Sequence, residues 1–217
     1  MNDSVNIKLT QDQLDMLKEL GNIGSGHAIT ALSKLISGKI EVSLTSADII
    51  SFWKVPDLFV NPYVDMVGIF SDIPFNSDLA IIQIFTKESI LNLINILSDF
   101  NKISIEDLKS IDDLDDFSCS IIAEIGSILS GHYTNALADL LSTKLVPNVP
   151  KIAIDTVNAI LEGIIAKYSQ ISDLMIVINT KLTVSDINLE GTICLIPSIN
   201  ILKRLFNILN LKYDLNL

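Results

Sequence analysis

Two cysteines, Cys119 and Cys194, are all the chain contains. Neither belongs to a CxxC pair or stands at metal-ligand spacing, so no disulfide framework or thiolate metal site is expected, and both read as buried thiols of a reducing compartment. Basic residues are scarce too. Fifteen Lys and Arg against 26 Asp and Glu leave a net charge of -11, which argues against a nucleic-acid partner, because phosphate-backbone binding depends on clustered cations. An acidic surface attracts basic protein patches instead. Long apolar runs are missing as well. Although 49% of residues are apolar and mean hydropathy is +0.47, every apolar stretch meets a charge or turn residue before the roughly 18 residues of a membrane span. The opening MNDSVNIKLTQDQLD has neither the basic start nor the apolar run of a secretory signal. No membrane insertion and a cytoplasmic location are expected. Nucleophile-base pairs and ligand clusters are absent, which leaves a small-molecule or metal-dependent hydrolase without support.

What is present is a repeat. Shifting the sequence by 105 positions lays Glu19 to Ile40 over Glu124 to Leu145 without a gap, with identities that include Glu19/Glu124, Gly21/Gly126, Ser25/Ser130, Gly26/Gly131 and His27/His132. At 217 residues the chain suits one compact unit. Residues 1-217 are expected to form a single domain of two half-repeats, about 8-100 and 106-217. Their length far exceeds the units of solenoid arrays. Periodicity predicts helices near 11-36, 87-98, 114-141, 155-168 and 198-209, and strands near 39-49, 64-71, 79-86, 173-182 and 188-196. The expected class is α+β in two layers: a pseudo-two-fold pair sharing one mainly antiparallel sheet, with the long helices packed on it. A polar stretch from Asn101 to Asp116, rather than a Pro/Gly/Ser linker, joins the halves.

On the first helix, at 100° per residue, Asp15, Glu19, Asn22 and Gly26 fall within roughly 60° of one another. Leu14, Leu17, Gly21, Gly24, Ala28, Leu32 and Leu35 gather on the opposite side as a packing face. A glycine inside a helix costs about 1 kcal/mol relative to alanine and needs a cause. Gly21 and Gly24 would permit close packing, whereas Gly26, on the polar stripe, either admits a partner's backbone or serves helix-helix packing. Taken alone, an Asp-x-x-x-Glu-x-x-Asn stripe is more often a solvated face than a site; its return 105 residues later singles it out. Two other motifs weigh less. Gly21-Asn-Ile-Gly24-Ser-Gly26 lacks the preceding strand of a nucleotide loop. His27 and His132 would meet near the pseudo-two-fold axis, but without a third His or a paired Cys they read as structural, and no metal site is expected.

The stripe and its surroundings resemble the CheC/CheX/FliY phosphatases of bacterial chemotaxis. Their motif runs Asp or Ser, three residues, Glu, two residues, Asn, then 22 residues and Pro. Asp15, Glu19 and Asn22 match its first part, and Thr45 stands where the Pro belongs. In the second copy Ser120, Glu124 and Pro150 match, and Ser127 replaces the Asn. Two copies at this spacing are similar to the CheC type rather than the single-motif CheX type, and FliY-type chains carry a further C-terminal domain.

The resemblance implies a phosphatase acting on the aspartyl phosphate of a phosphorylated CheY-like response regulator. On that reading Asn22 orients the attacking water, Glu19 reaches the regulator's Lys, and Asp15 and Gly26 take part in partner contact. The chain needs no cofactor of its own, since Mg²⁺ comes with the regulator. Ser120, Glu124, Ser127 and Pro150 form a second, degenerate site that docks without efficient catalysis. The competing implication is a non-catalytic adaptor that binds a phosphorylated regulator or a CheD-type receptor deamidase, which the complementary damage to the two motifs supports.

Overall fold

The computed structural model describes residues 10-36, 40-74, 79-97, 104-168, 174-184 and 187-208. Five helices and six strands occur among them: α1 (Gln11–Ile36), β1 (Ile40–Ser51), β2 (Asp65–Ile73), β3 (Leu79–Thr86), α2 (Lys87–Leu97), α3 (Asp116–Leu140), β4 (Lys151–Thr156), α4 (Val157–Tyr168), β5 (Leu174–Val184), β6 (Ile187–Ile196) and α5 (Ile199–Ile208). The strands form one sheet in the order β1-β5-β6-β3-β2-β4, and every neighbouring pair is antiparallel. Exchange β1 with β4, β2 with β5 and β3 with β6, and the order reads the same from the other edge.

Burial explains the central position of β3. Its run LAIIQIFT is apolar on both sides: Leu79, Ile81 and Phe85 join the core under the long helices, while Ala80, Ile82 and Ile84 join a second core on the opposite face. A strand buried on both faces shows no alternation, because neither side meets water. The first core packs the sheet against α1, α2, α3 and α5. Val157, Ile160, Leu161, Ile164 and Tyr168 of α4 cover the second face, together with Phe52 and Val55.

The expected α+β class, with the long helices packed on one antiparallel sheet, is found, and α4 adds helix to the other face. The helix expected from residue 155 begins at Val157 instead, because Asp155 and Thr156 end β4, which pairs with Asp65 to Phe70 of β2. This sixth strand was not expected. At only six residues, following Pro147 and Pro150, it is too short and too proline-flanked to announce itself by alternation. The C-terminal helix was expected to reach residue 209, which lies outside the described residues.

β1 and β4 occupy the two edges and end at equivalent positions, Ser51 and Thr156, yet β1 is twice as long. The difference begins at the position of the motif's Pro. β4 starts immediately after Pro150, since a proline cannot donate to a ladder. Thr45 lies at a register shift between Leu44 and Ser46, and β1 continues across it from Ile40. After β1, two short 3-10 turns at Phe52–Lys54 and Pro56–Leu58 stand at the positions corresponding to α4. Pro56 opens the second turn, and its ring is incompatible with a continuous helix there. No helix among the described residues is long and apolar enough to cross a membrane.

Candidate functional site

Helix α1 starts from a reciprocal cap. The Thr10 backbone N–H donates to Gln13 Oε1 at 2.7 Å, and the Gln13 N–H approaches Thr10 Oγ1 at 3.4 Å. Together they satisfy two donors that the first turn would otherwise leave open. Thr10-x-x-Gln13 is legible in the sequence and is the signal that places Asp15 firmly inside the helix. From there Leu17, Leu20, Gly21, Gly24, Ser25, Ala28, Leu32 and Ile36 turn inward. Leu14 and Leu35, expected on the same face, are half-buried at its margins. The Ser25 hydroxyl satisfies itself within the helix by donating to the Gly21 carbonyl at 2.5 Å.

The opposite side carries the stripe. Asp15, Glu19, Asn22 and Gly26 are all exposed. The Asp15 carboxylate accepts from Gln11 Nε2 at 2.9 Å and lies 3.6 Å from Lys18 Nζ, a solvent-exposed pair of little energetic weight. Glu19 and Asn22 stand one turn apart, and their side chains make no hydrogen bond or ion pair with other described residues. They are therefore available to a partner, at a separation of about 5-6 Å between Cβ atoms.

The glycines divide as their positions suggest. A Cβ on Gly24 would lie 2.8 Å from Cδ1 of the fully buried Tyr133, so its absence lets α1 close onto α3. A Cβ on Gly26 would meet nothing within 4 Å. Of the two readings open for Gly26, helix-helix packing is the one this open space does not support.

Helix α3 carries the segment that aligns with α1 at the 105-residue shift. Asp115 caps its start by accepting from the Ser118 backbone N–H at 2.7 Å, and bonds with Ser118 hold its carboxyl below the usual range. Ser120, Glu124 and Ser127 are exposed. The Ser120 hydroxyl donates to the Asp116 carbonyl at 2.7 Å, the same pair of helix positions at which Asp15 accepts from the Gln11 side chain. Pro150 sits beneath the helix, its Cγ 3.5 Å from where a Gly126 Cβ would be, and Ile69 of β2 fills the rest of that space. Residues 150 and 126 thus set how closely α3 approaches the sheet.

One positioning residue escaped the sequence reading. Gln83, fully buried in β3, donates to the Gly126 carbonyl at 2.9 Å and to Ser130 Oγ at 2.8 Å, and Ser130 Oγ lies 3.2 Å from Ser71 Oγ. This chain ties the turn bearing Ser127 to β3 and β2. Its one sequence signal is the lone amide in LAIIQIFT.

His27 and His132 meet edge to face, ring centroids 6.0 Å apart. His27 is exposed and His132 half-buried. Burial, then the charge of His27, lowers the pKa of His132. Among the described residues no group of three or more His, Cys, Asp or Glu is placed to hold a metal ion. Cys194 is buried, its thiol pushed up to about 12 by desolvation, whereas Cys119 is half-buried rather than fully buried as expected.

An antiparallel six-stranded sheet backed by paired long helices is the architecture of FliY and the FliM middle domain. Thermotoga maritima FliY superposes with a TM-score of 0.68 at 16% identity, over 95% of this chain and 100% of that one. The H. pylori FliM middle domain gives 0.64 at 9% identity, over 94% and 100%. At such identities the likeness defines the fold. Sequence defines the family: the CheC-like family model matches residues 13–43, which take in most of α1 and the start of β1. The CheY-P phosphatase CheC of Bacillus subtilis (strain 168) is 32% identical over 179 residues, 80% of this chain and 81% of that protein. The chain belongs to the CheC-like family. The flagellar motor switch phosphatase FliY of the same organism is 38% identical over 56 residues, 26% of this chain and 15% of that protein.

Proposed function

We propose that this protein is a cytoplasmic phosphatase that accelerates hydrolysis of the aspartyl phosphate on a phosphorylated CheY-like response regulator. The observation that carries the reading is the exposed, unengaged Glu19 and Asn22 pair beside the open backbone at Gly26, on a family member related to a CheY-P phosphatase. Phosphoryl transfer is catalysed chiefly by positioning and electrostatics, so the required part is small. The Asn22 carboxamide can donate to and accept from one water, directing its lone pair at phosphorus without ionising. Glu19, one turn earlier, pairs with the regulator's Lys and sets the register of α1 in the partner's cleft. Asp15 extends the acidic contact, and Gly26 lets the partner's backbone approach. Mg²⁺ belongs to the regulator, and the chain supplies no cofactor.

We read the chain as one domain of two half-repeats, a reading supported by the gapless match at 105 residues and the strand order that survives exchange of the halves. On α3, Glu124 retains the acidic contact, but the Ser127 hydroxyl is too short to span the distance a carboxamide covers. That surface docks and does not hydrolyse efficiently.

The test is phosphate release from a CheY-type receiver phosphorylated with acetyl phosphate, with this protein added sub-stoichiometrically. Release should speed up with turnover numbers above one. No acceleration, with binding intact, would instead establish the adaptor reading, in which the protein holds a phosphorylated regulator or a CheD-type deamidase. The absence of a complete motif in either half, with Thr45 in the first and Ser127 in the second, is what favours that second reading.

A further inference from the structure

The acidic stripe on α1 has an apolar shoulder. Met16 and Ile23 lie about 40-60° around the helix from Glu19, on the side of His27. They are 36% and 41% exposed, the large apolar side chains of α1 that face solvent. Single exposed apolar residues are ordinary. Two of them seven residues apart, on one side of the Glu19 and Asn22 pair, are aligned along the helix about 10 Å from each other, two turns at 1.5 Å per residue. The corresponding positions on α3 are occupied by isoleucines that are covered: Ile121 is 7% exposed and Ile128 is half-buried. The same residue chemistry is spent on the core in one helix and offered outward in the other.

Protein interfaces concentrate affinity in a few desolvated apolar anchors, while charged groups at the rim govern orientation and encounter. The α1 face has both parts in the right order, with Asp15 and Glu19 as oriented charge and Met16 and Ile23 as area to bury. We propose that Met16 and Ile23 determine affinity for the phosphorylated receiver, by packing against an apolar patch beside the basic residue that Glu19 meets, so that tight docking is confined to α1. This rests on the phosphatase reading for its partner. It extends that reading by making the two stripes unequal in binding as well as in catalysis.

The experiment compares the full chain with Ile23→Ser, Met16→Ser and the double variant. The probe is a CheY-type receiver phosphorylated with acetyl phosphate, measured both for phosphate release and for direct binding. Each single variant should raise KM and Kd about five- to tenfold, with the double variant higher still and kcat unchanged. Ile23→Leu should restore both constants. Leu58→Ser, an exposed apolar residue of the turn after β1, should leave them as they are. Both serines replace exposed side chains, and the melting temperature should stay within about 2 °C of the parent. Unchanged KM and Kd in the double variant would overturn the proposal, and a loss of kcat in Asn22→Ala would then show the phosphatase reading intact. Should the parent bind the receiver without speeding phosphate release, the Kd comparison still decides the role of the shoulder. A parent that does not bind overturns both.

Discussion

Gly24 and Gly26 are two residues apart on α1, yet substitution should act on them in opposite directions. At Gly26 a Cβ meets nothing within 4 Å. Gly26→Ala should therefore recover the helix-propensity difference of about 1 kcal/mol, which for a chain of this size raises the melting temperature by about 2-4 °C. At Gly24 the same methyl lies 2.8 Å from Tyr133 Cδ1 and 3.0 Å from Cγ, against a ring with no exposed surface on which to retreat. Overpacking of this kind costs about 1-3 kcal/mol and outweighs the propensity gain, so Gly24→Ala should melt lower than the parent. Function separates the open positions further. Gly26→Leu should fold at least as stably as the parent but lower kcat/KM for the phosphorylated receiver by about tenfold or more, because the side chain occupies the space a partner's backbone needs. Gly131→Ala, equally open on α3, should gain stability and leave turnover unchanged. The assays are thermal denaturation and phosphate release on the same four proteins. Full turnover by Gly26→Leu would refute the assignment of Gly26 to the docking face.

Three further outcomes follow from the geometry. Ser127→Asn should increase phosphate release by restoring the amide beside Glu124, and no increase, with folding intact, would show that the α3 surface lacks more than its amide. Asp72 joins α4 to β2 by accepting from Lys167 at 2.7 Å and from the Tyr168 hydroxyl. Burial alone would raise its pKa, but those bonds and the charges of Lys167 and Lys151 together hold it below the usual value. A carboxylate with a depressed folded pKa contributes stability that is present above the unfolded value of about 3.9 and is lost as pH falls through the folded one. Asp72→Asn should thus melt lower than the parent at pH 7, by an amount equivalent to about 1 kcal/mol or less given the exposed Lys167, with a gap that shrinks in acid. A gap independent of pH would assign the effect to packing. Finally, His27→Gln should move the NMR titration of His132 upward toward its ordinary value without reaching it, since burial persists as the larger cause. An unmoved titration would mean that the two rings do not interact electrostatically.

The long helices were legible because each carries its own signals. Leu17, Gly21, Gly24, Ala28 and Leu32 repeat at helical spacing, and the segments Glu19 to Ile40 and Glu124 to Leu145 share eleven identities over 22 aligned positions, nine of them within α1 and α3. β3 could be read from a run too apolar to face water. β4 could not, because six residues with exposed Lys151, Ala153 and Asp155 resemble any polar connection until β2 is known to lie beside them. The cover of the second face was hidden for a different reason, because that face is assembled from Ala80, Ile82 and Ile84 of β3, Met175 and Val177 of β5 and Cys194 and Ile196 of β6, which only the pairing of these strands brings together. At the site, the stripe was legible from its spacing together with its return 105 residues later, but the closure at Gly24 depends on Tyr133, more than 100 residues away, and the open space at Gly26 on what the fold leaves beside it. Gln83 was invisible for a related reason. Its partners Gly126, Ser130 and Ser71 are brought to it by the packing of α3 on the sheet, and nothing local in LAIIQIFT records that they are there.

The central claim places the chemistry on one amide. Replacing Asn22 with Ala removes a solvent-exposed side chain that supports nothing in the fold, so stability should be unaffected. Measured with a CheY-type receiver phosphorylated by acetyl phosphate, Asn22→Ala should lower kcat by about a hundredfold, the scale of losing one positioned group, while the Kd for the phosphorylated receiver stays within about twofold. A folded Asn22→Ala variant that releases phosphate at the parent rate would contradict the account.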